Sequence, residues 1–141
     1  ATPRDAKGLL TAAVRDGNPV IYLEAKGLYS FFRTDLREEV PLGPEFEVPL
    51  GQALVRREGT DVSCITYGAM VWTALAAADL LSKEDISLEV VDLRTLVPLD
   101  EATMLNSIAK TSRALILHED VRTGDRAQSL PRSSQRSRFT L

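Results

Sequence analysis

Asp61-Val-Ser-Cys-Ile-Thr-Tyr67, then Gly68, then Ala69 to Leu81, is the stretch on which the fold of this chain turns. The first seven residues carry the β-branched and aromatic content of a strand. Gly68 turns the chain, and the Ala/Leu-rich run after it predicts a helix. Downstream, Ile86-Ser-Leu-Glu-Val-Val-Asp92 reads as a second strand. Pro98-Leu99-Asp100 leads into a helix over about 101–110, with Asp100 as its N-cap. Ala114-Leu-Ile-Leu-His118 reads as a third strand. Strands alternating with helices at this spacing imply parallel pairing through right-handed crossovers. The expected class is a three-layer α/β domain with a mainly parallel sheet.

Upstream of this core the pattern changes. Between Glu24 and Arg57 the chain is punctuated by Gly27, Pro41, Gly43, Pro44, Pro49 and Gly51, with charges at Asp35, Arg37, Glu38 and Glu39. That density of breakers argues for an extended connector, with Val48 to Leu50 as the piece that docks on a sheet edge. Before it, Leu9, Leu10, Ala12, Ala13 and Val14 share a helical face over 5–15. Gly17-Asn18-Pro19 ends that helix, and Val20-Ile-Tyr-Leu23 reads as a short buried strand. After Gly124 the apolar period stops. Residues 125–141 hold Arg126, Arg132, Arg136 and Arg138 with five serines or threonines, a composition unable to build a core.

The 141 residues suffice for one modest domain, and the hydrophobic share of 44% and charged share of 26% are ordinary for a globular protein. A formal net charge of -3 gives no overall pull toward nucleic acid or acidic membranes. No apolar run approaches the roughly 20 residues that span a bilayer. The opening Ala1-Thr-Pro-Arg-Asp5 lacks an initiator Met and a signal peptide, which fits a processed or incomplete chain. One Cys and one His exclude an internal disulfide and argue against a closed zinc site within a single chain; a reducing cytoplasm is the expected compartment.

Few residues offer chemistry. Gly68 occupies a strand-to-helix turn where a backbone anion site could form, but it lacks the spacing of a dinucleotide fingerprint and reads as a plain tight turn. His118, beside Glu119 and Asp120, ends a strand where parallel sheets bind ligands, and the preferred reading is structural. Cys64 in mid-strand reads as an inert packed thiol, and Trp72 as a core or subunit-contact residue. Asp92 and Arg94 are expected to pair locally. The Arg/Ser tail has the composition of a nucleic-acid arm, yet Phe139 is its only aromatic and no binding role is assigned.

From Val48 to Gly124 the chain resembles a known family. Val-Pro-Leu-Gly-Gln-Ala at 48–53, Arg-Arg-Glu-Gly-Thr-Asp-Val at 56–62 and Thr-Tyr-Gly-Ala-Met-Val at 66–71 look like the start of a transketolase-type C-terminal domain. Glu-Val-Val-Asp-Leu-Arg-Thr-Leu at 89–96, Pro-Leu-Asp at 98–100, Lys-Thr at 110–111, His-Glu-Asp at 118–120 and Arg-Thr-Gly at 122–124 continue in the family's order. Asp-Ala-Lys-Gly-Leu-Leu at 5–10 and Asn-Pro-Val-Ile at 18–21 resemble the end of the preceding pyrimidine-binding domain. The whole is similar to the C-terminal half of the β subunit of thiamine-diphosphate-dependent 2-oxoacid dehydrogenases, closest to the branched-chain (2-oxoisovalerate) type, with pyruvate and acetoin types near. Departures are Ser30, where an Arg commonly follows the Leu-Tyr pair, the missing N-terminal domain, and the tail. With GC-rich codons and a two-base shift, Arg126 to Arg138 can be read as Gly-Ala-Glu-Leu-Ala-Ala-Leu-Val-Ala-Glu-Glu-Pro-Leu, near the helix the family carries there.

The resemblance implies four parts. Residues 1–24 are the last helix and strand of the pyrimidine-binding domain, and 25–57 are the connector. Residues 58–124 are a C-terminal domain incomplete at its end, and 125–141 are a non-family tail. It implies oxidative decarboxylation of a 2-oxoacid with acyl transfer to lipoamide, by an assembly holding thiamine diphosphate and Mg²⁺. The implied partners are an α subunit, a second β subunit and a lipoyl acyltransferase core, with no nucleic acid and no membrane. No residue of this chain is assigned a catalytic, cofactor-binding or metal role, because the family's catalytic His and activating Glu lie upstream. The fragment alone is expected to be inactive. The alternatives are a C-terminal domain of a transketolase or deoxyxylulose-phosphate synthase, and a non-catalytic α/β interaction module.

Overall fold

A computed structural model describes residues 1–31 and 43–119. Its core is a four-stranded sheet in the order β1-β3-β2-β4. The strands are β1 (Leu54–Arg57), β2 (Val62–Thr66), β3 (Leu88–Asp92) and β4 (Ala114–Ile116). The helices are α1 (Pro3–Arg15), α2 (Lys26–Phe31), α3 (Met70–Leu81) and α4 (Glu101–Thr111), with a 3-10 turn over Ser82–Glu84. Strands β2, β3 and β4 are mutually parallel, with Cys64 opposite both Val90 and Leu115, while β1 runs antiparallel to β3.

Alternation along the central strands builds the layers, because successive side chains leave a strand on opposite faces. Cys64, Leu88 and Val90 pack with Ala74 and Ala78 of α3. Their neighbours Ile65 and Val91 pack on the other face with Met104 of α4 and with Leu93. The result is helix, sheet, helix, as the sequence pattern implies. All five residues of β3 are buried, as a strand covered on both faces requires. Asp100 accepts from the Thr103 N–H (3.0 Å), so it caps α4 as its position predicts.

The stretch Val20–Leu23 departs from the sequence reading. It forms no strand; Ile21 and Leu23 are 88% and 81% exposed. An apolar run becomes a strand only when a ladder receives its N–H and C=O groups, and no described strand lies beside it. The edge-docking piece also differs. Val48 is buried, but its N–H donates to the Gly8 carbonyl (3.1 Å), so it packs on α1 rather than on the sheet. The strand on the sheet edge is β1, six residues further on, which pairs Leu54 with Asp92 and Val55 with Val91. Its register slips between Val55 and Arg57, and such a bulge re-aims side chains. At the other edge, Leu115 and Ile116 of β4 are 44% and 40% exposed. No helix among the described residues is long and apolar enough to cross a membrane. Asp120, Arg122 to Gly124, the middle of the connector and the tail over 125–141 lie outside the described residues.

Candidate functional site

The C-terminal ends of β2, β3 and β4 form one rim of the sheet. From β2 the chain crosses to β3 on one side, then from β3 over β2 to β4 on the other. The chain leaving β2 thus enters a helix on one face and the chain leaving β3 a helix on the other, and the C-terminal ends of parallel strands are where open sheets take ligands. Gly68 and His118, separated by fifty residues in sequence, both follow strand ends there. The Leu117 N–H donates to the Ile65 carbonyl (3.0 Å), and the Thr66 hydroxyl donates to the Leu117 carbonyl (2.9 Å). Gly68 has φ +60°, and a Cβ there would meet nothing within 4 Å. Its glycine thus serves the left-handed turn, not the close approach of another group. His118 is half-buried and Glu119 exposed.

Beside this rim sits a buried ionic cluster of which only fragments are legible in the sequence. Asp92 at the end of β3 and Asp5 of α1 are both buried. Arg56, re-aimed by the β1 bulge, donates to Asp92 from Nε (3.1 Å) and Nη2 (2.8 Å), and Nη2 also donates to Asp5. Asp92 and Arg94 do meet locally, as expected from the sequence, but through the backbone of Arg94 and not its guanidinium. The Arg94 N–H donates to Asp92 (3.1 Å), while the guanidinium donates to the carbonyls of Gln52 (3.0 Å) and Ala53 (3.3 Å) and to Asp5 (3.5 Å). The Ala1 ammonium also lies 3.2 Å from Asp5. Burial pushes the Asp5 carboxyl up, but that ammonium, Arg56 and the Thr2 hydroxyl outweigh it and hold the pKa at about 2. One part was legible: Asp5 stands three residues after Thr2, the spacing of a capping box, and both halves of the box form. Arg56 was not, because its partners lie 36 and 51 residues away.

On the α4 face a third buried carboxylate, Glu89, accepts from the Gly59 N–H (3.2 Å) and pairs with Lys110. Burial raises its pKa, while Lys110, Ser107 and Gly59 together bring it below the ordinary value, so it stays ionised. Nearby, the hydroxyls of Ser63, Ser107 and Thr111 form a buried chain with 2.7 Å contacts. A shallow depression of about 240 Å³ lies over these groups, lined by Val55, Glu89, Thr103, Asn106, Ser107 and Lys110. Each of these charges is matched within the fold, so the arrangement fastens β3 to α4 and presents no free acid or base.

The remaining candidates are inert. Cys64 is buried in the α3-side core and its thiol is pushed up to about 11 by that burial, far from a reactive thiolate. Trp72 is half-buried, and its indole N–H donates to the Ala1 carbonyl (3.0 Å). Among the described residues no three of His, Cys, Asp and Glu converge to hold a metal ion. Asp5, Asp92 and Glu89 are already committed to arginine, lysine or backbone partners.

Comparison with known proteins accords with this fold. Residues 51–136 match the family described as "Transketolase, C-terminal domain". The chain is 54% identical over 119 residues to the pyruvate dehydrogenase E1 component subunit beta of Bacillus subtilis (strain 168), covering 84% of this chain and 35% of that one. It is 41% identical over 140 residues to the subunit of that name from Staphylococcus epidermidis, covering 99% of this chain and 42% of that one. The chain thus spans well under half the length of these curated relatives. Among solved structures, one described as "Split gene transketolase, inactive beta4 tetramer" superposes with a TM-score of 0.54 at 28% identity, covering 64% of this chain and 33% of that chain. With the family match covering more than half of its residues, and with a mainly parallel helix–sheet–helix core, this chain belongs to the transketolase C-terminal domain family.

Proposed function

We propose that this chain serves as the C-terminal portion of the β subunit of a 2-oxoacid dehydrogenase, in its decarboxylating component. The observation that carries this reading is 54% identity sustained over 119 residues to a subunit named for that role. In the assembled enzyme thiamine diphosphate with Mg²⁺ supplies the carbanion stabilisation. This portion supplies a folded platform whose acids and bases are consumed internally, and whose task is contact with the α subunit, a second β subunit and the lipoyl acyltransferase core. The printed names of the relatives favour pyruvate over a branched-chain 2-oxoacid as substrate. The transketolase alternative has weaker support, at 28% identity to one transketolase structure. The division into an upstream helix at 1–24, a connector at 25–57 and a C-terminal domain from 58 is part of the same proposal, as is a cytoplasmic setting.

Co-expression of the tagged chain with the α subunit encoded beside it tests the reading. Co-purification of the two supports it; a folded chain that emerges alone contradicts it. We further propose that residues from about 125 are a shifted-frame ending. The family match reaching residue 136 weighs against this. Sequencing the gene across that point decides, since no alternative frame encoding the helix would sink the idea.

A further inference from the structure

We propose that α1, together with residues 43–48, is a separable latch that docks on the sheet mainly through charge and releases as a unit while the sheet domain stays folded. The binding of α1 is unusual in its balance. Only Leu9 and Ala12 among its apolar side chains are buried, whereas Leu10 and Val14 face solvent. Its firm hold on the sheet is the Asp5 carboxylate, which meets Arg56 of β1 and Arg94 beyond β3, with Asp92 of β3 and the Ala1 ammonium completing the cluster. Two carboxylates and two guanidiniums balance one another without the terminal amine. On release, Asp92 keeps Arg56, Arg94 keeps the Gln52 and Ala53 carbonyls, and Asp5 is hydrated. The sheet side then holds two guanidiniums on one carboxylate, but Arg94 keeps its two carbonyl acceptors and faces the water that replaces α1, so opening carries no large desolvation penalty.

Residues 43–48 travel with the helix because their contacts are to α1. Val48 donates to the Gly8 carbonyl, Lys7 donates to the Gly43 carbonyl (2.9 Å), and Arg15 reaches Glu45 (2.9 Å) and Glu47 (3.1 Å). A Cβ at Gly8 would overlap the Val48 side chain, so helix and segment are fitted to each other. Trp72 supplies a built-in reporter, since its indole bonds to the Ala1 carbonyl and it is the only tryptophan of the chain.

Native-state hydrogen exchange on the 141-residue chain tests this, comparing wild type with Asp5→Asn and with wild type in high salt. The expected result is roughly tenfold faster exchange of α1 amides and of the Val48 amide, with β2 and β3 amides unchanged and Trp72 emission shifted. Equal acceleration of α1, β2 and β3 overturns the proposal, because α1 would then open only with the whole fold. Unchanged α1 exchange in both Asp5→Asn and high salt overturns it also. Lys110→Met, which breaks the Glu89 pair on the opposite face, serves as the control: α1 exchange stays as in wild type while β2 and β3 amides exchange faster, and equal acceleration of α1 overturns the proposal.

Discussion

The sheet over residues 62–116 and the segment over residues 1–31 are both written in apolar residues, yet they use them in opposite ways. In the sheet, Ile65, Val90 and Val91 are almost wholly buried, and every strand finds a neighbour for its backbone. In the N-terminal segment Ile21 and Leu23 stand in solvent, and α1 is held by Asp5 as much as by Leu9. A hydrophobic pattern states what a segment can bury; a paired ladder and a second layer decide whether it does.

The comparison breaks most visibly at Met104, fully buried between α4 and the sheet. Met104→Ala should cost about 2–5 kcal/mol and lower the thermal midpoint of the whole domain. A loss under about 0.5 kcal/mol, in the range of a surface change, would show that α4 is not a true layer. Acid probes the other region. The Asp5 carboxyl is lowered from 3.8 to about 2, so its contribution is fully present above pH 3.8 and is lost as pH falls toward 2. That contribution is about 2 kcal/mol. An acid titration of wild type against Asp5→Asn should show the difference vanish across that window; a constant difference contradicts the assignment.

A smaller effect is expected at Thr2, whose hydroxyl accepts from the Asp5 N–H (3.2 Å). Thr2→Ala should destabilise α1 by about 1 kcal/mol, seen as faster amide exchange in that helix. Smallest is Ile21→Ser, expected to change stability by less than about 0.5 kcal/mol despite removing a large apolar side chain. A loss of several kcal/mol there would mean that Val20–Leu23 is buried in solution, by self-association or otherwise.

The order of strands and helices from Val62 to Ile116 was legible because each element carries its own local signal, from the β-branched run at 62–66 to the Asp100 cap. The edge strand Leu54–Arg57 was missed because four residues between Gly51 and Gly59 make no period, and their strand character comes from pairing with β3. The strand expected at Val20–Leu23 failed for the converse reason. At the rim, the sequence placed Gly68 and His118 at strand ends but could not reveal that β2 and β4 are neighbours. The Asp5–Arg56–Asp92 cluster was illegible because charge pairing across three elements leaves no spacing to read.

The most direct test of the central claim is a decarboxylation assay with pyruvate, thiamine diphosphate and Mg²⁺, comparing the α subunit with this chain, the α subunit with a full-length β subunit, and the α subunit alone. The account predicts turnover only with the full-length β subunit, because the buried carboxylates of Asp5, Asp92 and Glu89 are committed to basic partners and the Cys64 thiol is packed within the fold. Turnover by the α subunit with this chain, above that of the α subunit alone, would contradict it.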